Sequence, residues 1–130
     1  MNTSNQLPFT FDHRPSLSGD DFLIASSNEE AISWIDKWPD WPAPLLIIFG
    51  PPGCGKTHLS NVFMAKAEGQ LLMPRNINLL PPEENLSIAK NFVIDDNNRD
   101  IFAVYDEKSF FHFYNELVMQ KGFLLITSHT

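Results

Sequence analysis

One octapeptide, Gly50-Pro51-Pro52-Gly53-Cys54-Gly55-Lys56-Thr57, constrains this chain more than any other stretch. It satisfies the phosphate-loop pattern G-x-x-x-x-G-K-[ST]. In that pattern glycines let backbone N–H groups approach phosphate oxygens, and the lysine adds a positive charge. The pattern carries meaning only between a strand and a helix, and both flanks are present. Leu45-Leu46-Ile47-Ile48-Phe49 is a continuous apolar run of strand length, and Leu59, Val62, Phe63 and Lys66 recur at helical spacing after the loop. The bland alternative is a Gly/Pro turn between two core elements.

A second apolar run, Asn91-Phe92-Val93-Ile94-Asp95-Asp96, ends in two carboxylates. In phosphate-loop proteins the nucleotide's metal is held by the loop Ser/Thr together with an aspartate at the end of a neighbouring strand, which points to Thr57 and Asp95. Asp96 points differently and is the candidate for orienting or deprotonating an attacking water. The competing reading is a strand followed by an ordinary acidic turn, and Asn97-Asn98-Arg99-Asp100 has turn composition. A final strand, Phe123-Leu124-Leu125-Ile126-Thr127, carries Thr127, Ser128 and His129 at its C-terminal end, where open α/β sheets place ligand-facing groups.

Between these landmarks, Ser27 and Glu30 form a capping box that predicts a helix start. Ala31, Trp34, Ile35 and Trp38 then share one face, and Pro39 ends the helix. Asp40-Trp41-Pro42-Ala43-Pro44 reads as a stiff connection without chemistry. A short strand is expected at 70–73, irregular chain over 74–82, and a short helix around 83–90. A further helix is expected over 106–121, with Phe110, Phe113, Tyr114 and Leu117 on its core face and Gly122 past its end.

The 130 residues suffice for one modest domain with a real core. A net charge of −7, with nine Lys and Arg residues scattered singly, argues against direct DNA binding. Cys54 is the only cysteine, so a disulfide framework is excluded and a reducing, cytoplasmic setting is expected. No apolar run approaches the roughly 20 residues that span a bilayer, and residues 1–15 lack the layout of a signal peptide. Those residues read as an extended tail bearing Gln6-Leu7-Pro8-Phe9-Thr10-Phe11. The apolar side chains of that peptide suit either an apolar pocket on a partner or packing onto the tail's own domain.

Taken together these segments resemble the AAA+ ATPase domain of the replication initiator DnaA, and more closely the Hda-type regulators of alphaproteobacteria. The strings that carry the resemblance are Gly50 to Leu59, Asp21-Phe22-Leu23-Ile24 with Ser27-Asn28-Glu29, and Trp38-Pro39-Asp40-Trp41-Pro42. Ile94-Asp95-Asp96 and Phe110-Phe111-His112 extend it across most of the chain.

The resemblance implies a three-layer α/β/α P-loop NTPase core with a parallel sheet over 16–130, binding ATP or ADP with Mg2+. Gly50, Pro51, Pro52, Gly53, Cys54, Gly55, Lys56, Thr57 and His58 would hold the phosphates. Phe22, Leu23 and Ile24 would cover the adenine ring, Asp96 would act on water, and Ser128 would sense the terminal phosphate. His129 replaces the acidic residue usual after that sensor. Gln6, Leu7, Phe9 and Phe11 would dock on the sliding clamp of DNA polymerase III, and DnaA would be the regulated partner.

The same resemblance implies that 16–130 stops short of the family's fifth strand, arginine finger and helical lid, so that little or no hydrolysis is expected. It also implies that Leu45 to Phe49 forms an uncovered sheet edge prone to self-association. The runner-up expectation is a clamp-binding adaptor without productive nucleotide binding.

Overall fold

The computed structural model describes residues 22–51, 54–95 and 101–129. Five strands form one all-parallel sheet in the order β1-β2-β5-β4-β3. They are β1 (Phe22–Ala25), β2 (Leu45–Gly50), β3 (Gln70–Leu71), β4 (Asn91–Asp95) and β5 (Phe123–His129). Among the described residues five α-helices accompany them: α1 (Asn28–Lys37), α2 (Lys56–Ala67), α3 (Pro74–Asn78), α4 (Pro82–Leu86) and α5 (Glu107–Met119). Among the described residues no helix is long and apolar enough to cross a membrane.

Side chains alternate across a strand, so the continuous apolar runs of β2 and β5 must be covered on both faces. Leu45, Ile47 and Phe49 join Leu124, Ile126, Phe92 and Ile94 in a core with Phe110, Phe113 and Leu117 of α5 and with Ile77 and Leu86 of α3 and α4. Leu46, Ile48, Val93 and Leu125 face the other way, toward Ala31 and Ile35 of α1 and Leu59, Phe63 and Ala67 of α2. The result is the expected sandwich of helix, sheet and helix.

β2, expected to be an uncovered edge, is not one. β1 pairs along β2 from Phe22↔Leu45 to Ala25↔Ile48, while β5 pairs along its other side. All six residues of β2 are buried. A segment preceding the octapeptide therefore covers β2, and the expected uncovered edge, with the self-association argued from it, loses its physical basis. Among the described residues β1 is the edge on that side, and it is only four residues long.

Local chemistry accounts for most boundaries. Ser27 caps α1 by accepting from the Glu30 N–H at 3.2 Å, but Glu30 reaches back to the Ser26 N–H and so closes the box one residue early. Lys66, expected on the inner stripe of α2, instead donates to the carbonyls of Ile35 and Asp36 at the end of α1, at 2.8 and 2.9 Å. Val62 is 41% exposed, so Leu59 and Phe63 alone make the core contact of that set.

The stretch 74–82, expected to be irregular, opens with the five-residue helix α3, the short helix expected around 83–90 is α4 at Pro82–Leu86, and the short strand before them shrinks to Gln70–Leu71. The "stiff connection" before β2 is an aromatic plug. Trp41 stacks on Phe63 at 5.4 Å between ring centroids, and its Nε1–H donates to the Trp34 carbonyl at 2.6 Å. Trp38 meets Phe63 and Phe123 edge-on.

Candidate functional site

The C-terminal ends of β2, β5 and β4 lie side by side, with Gly50 opposite His129 and Asp95 opposite Thr127. Ligands of open α/β sheets bind in the crevice outside such ends. The loop leaves β2 at Gly50, where an added Cβ would meet the Cys54 sulfur and push that side chain aside. Gly55, with φ of 98°, occupies the left-handed region and enters α2 as its N-terminal cap residue. The first N–H groups of α2 and its positive dipole end therefore face the strand ends.

Lys56 is 7% exposed. Its ammonium donates to the Gly50 carbonyl and, at 2.9 Å, to the Ser128 carbonyl. A cation is thereby held between the tips of β2 and β5 by the two strands that flank it. Thr57 Oγ1 donates to Asp95 Oδ2 at 3.0 Å, and Thr127 Oγ1 donates to Asp95 Oδ1. Strand alternation explains the convergence: Asp95 lies on the same face of β4 as Val93, which is the α2 face, and Thr127 shares that face with Leu125.

A cleft of about 530 Å³ opens beside the loop, lined by Ser26, Ser27, Asn28 and Glu29 on one side and by Phe49, Gly50, Pro51 and Cys54 on the other. This is within the size range of small-molecule sites. Asn28 Nδ2 donates to the Cys54 carbonyl at 2.8 Å across it.

The structure thus brings together Gly50, Pro51, Cys54, Gly55, Lys56, Thr57 and Asp95. Phe22, Leu23 and Ile24 are built into β1, where Phe22 is buried in the α5-side core, and the cleft wall begins four residues after Phe22, at Ser26. Ser128 is buried and takes part through its carbonyl. His58 is exposed on α2 and lines a separate hollow of about 220 Å³ with Ile32, Ile35, Asp36, Leu59 and Val62. Gln6, Leu7, Phe9, Phe11, Pro52, Gly53 and Asp96 lie outside the described residues.

Two members of the site were not assigned roles from sequence. Thr127 was expected only as one of three ligand-facing polar groups at the end of its strand, and Asn28 entered only within the Ser27-Asn28-Glu29 string of the resemblance.

Among the described residues no three His, Cys, Asp or Glu side chains gather as a metal cluster. The Thr57 hydroxyl and Asp95 carboxylate still fit magnesium, which takes hard oxygen donors and commonly uses one or two protein ligands beside waters and phosphate oxygens. No protein-family model, curated protein or solved structure matches this chain.

Proposed function

We propose that this chain binds ATP or ADP with magnesium as a DnaA-related regulator of replication initiation of the Hda type. The observation that carries the reading is the meeting of Thr57 with Asp95, 38 residues apart in sequence, directly beside Lys56 and the glycine-framed loop. A strand, a glycine turn and a helix N-terminus form an anion site by themselves. A hydroxyl and a carboxylate joined across two elements add the place for a divalent cation.

In this reading Lys56 supplies positive charge to the phosphates, and Thr57 and Asp95 would hold magnesium, which would offset the negative charge of the phosphates. Thr127 keeps the Asp95 carboxylate turned toward Thr57. The cleft between Ser26 and Cys54 takes the nucleoside.

Titration of Mg-ATP and Mg-ADP tests this, with Lys56→Ala as control and circular dichroism to verify folding. Saturable binding weakened roughly tenfold or more in the variant is expected, since hydrogen bonds to charged groups are the stronger class. No binding by the wild-type chain, or equal binding by a folded variant, would sink the reading.

One observation favours a second reading, a non-catalytic adaptor that docks on the sliding clamp. The Lys56 ammonium already has two carbonyl partners, which a phosphate must displace or share. Clamp docking is common to both readings and rests on Gln6-Leu7-Pro8-Phe9-Thr10-Phe11. Fluorescence anisotropy of a peptide covering residues 4–12 against the clamp checks it, with saturable binding lost in Gln6→Ala as the expected outcome.

A further inference from the structure

Asn28, the first residue of α1, joins the two walls of the cleft with a hydrogen bond between residues 26 apart in sequence. Its Nδ2 donates to the Cys54 carbonyl and also lies 3.8 Å from where a Cβ on Gly55 would sit. The amide thus rests against the Cys54-Gly55 peptide, the last one before α2. In a trans peptide the C=O and the following N–H point in opposite directions. Fixing the Cys54 carbonyl toward α1 therefore fixes the Gly55 N–H away from it. Glycine would otherwise make that peptide plane easy to rotate, because Gly55 accepts φ values of either sign.

We propose that Asn28 is a positioning residue of the phosphate loop, locking the Cys54-Gly55 peptide so that the Gly55 N–H is presented to an anionic ligand. The proposal rests on the nucleotide-binding reading for its ligand, but not for the lock itself. It also couples the nucleoside wall to the phosphate loop: a ligand that holds the first turn of α1 in place stabilises the loop through the same hydrogen bond.

Cys54 makes the lock measurable without a nucleotide, because it is the chain's only thiol and sits in the locked peptide. Its rate of reaction with a chromogenic aromatic disulfide reports loop opening. Asn28→Ala and Asn28→Asp are expected to speed that reaction roughly threefold to tenfold, the range a single hydrogen bond of ordinary net strength supports. The aspartate variant separates the lock from a role in starting α1. A carboxylate in the first turn favours the helix dipole, so the thermal midpoint without ligand should hold or rise. An added carboxylate neither activates a thiol nor attracts an anionic reagent, so faster labelling in that variant reports movement of the loop.

Mg-ADP affinity should fall by a similar factor in Asn28→Ala. Labelling at the wild-type rate in both variants overturns the proposal, as does wild-type Mg-ADP affinity in Asn28→Ala. If the wild-type chain binds no nucleotide, the nucleotide reading fails and the labelling rates alone support or overturn the lock.

Discussion

Asp95 receives a hydroxyl from each neighbour, Thr57 from α2 and Thr127 from β5. Thr127 is fully buried, so losing its hydroxyl leaves one carboxylate oxygen without that donor in a partly buried setting. Thr127→Val keeps the shape and removes the bond, and is expected to cost about 1–3 kcal/mol. Urea unfolding at neutral pH measures it, and an unchanged midpoint would contradict the pairing. The aspartate was legible in the sequence because an apolar strand ending in acid after a phosphate loop is a local pattern. The threonine was not, since its role exists only when β4 and β5 pair in the register that sets Asp95 opposite Thr127. Lys56 was assigned to phosphate from its motif, whereas its present carbonyl partners depend on β2 and β5 being neighbours.

Helices were readable in proportion to their length. α1, α2 and α5 repeat their apolar positions over several turns, whereas α3 and α4 have five residues each and no period, so that only α4, through its proline-and-acid start, was anticipated. Those two are held by asparagine side chains instead. Asn76 Oδ1 accepts from the Met73 N–H, and Asn85 donates to the Asn76 carbonyl. Asn78 bridges to Asp106 and Val104. Asparagines and prolines look like turn formers in sequence, and here their side chains tie short helices to their neighbours.

α5 offers a pH test. Asp106 caps it, and hydrogen bonds from the Ser109 hydroxyl and N–H lower its pKa below the usual aspartate value. A carboxylate held low in the folded state adds stability that is complete above its unfolded pKa and is lost as pH falls through the folded one. Asparagine also caps well but does not titrate. Asp106→Asn should therefore leave neutral-pH stability nearly unchanged and make its loss on acidification shallower, as followed by urea midpoints from pH 6 to about pH 2. An unchanged acid profile would rule the cap out as a contributor.

At the scale of the whole molecule, β1 covers the sheet's most apolar strand, and the covering segment comes from before the octapeptide at 50–57. Removing residues 1–25 would expose the buried backbone edge of β2 while leaving α1 and its cap intact. Uncovered apolar edges recruit other strands. The shortened chain is expected to self-associate where the full chain does not, and sedimentation at matched concentrations distinguishes them. A monomeric shortened chain would mean that β1 is dispensable as a cover.

By itself the sequence determined the strand, loop and helix around Gly50-Pro51-Pro52-Gly53-Cys54-Gly55-Lys56-Thr57, the two-faced burial of β2 and β5, and the acid at the end of β4. Each follows from short-range periodicity, capping or motif spacing within a few residues. Tertiary structure alone decided which strand fills the edge beside β2, which hydroxyls reach Asp95, and that Asn28 touches the loop. Those facts depend on strand order and register, which bring together residues tens of positions apart and leave no local pattern in the chain.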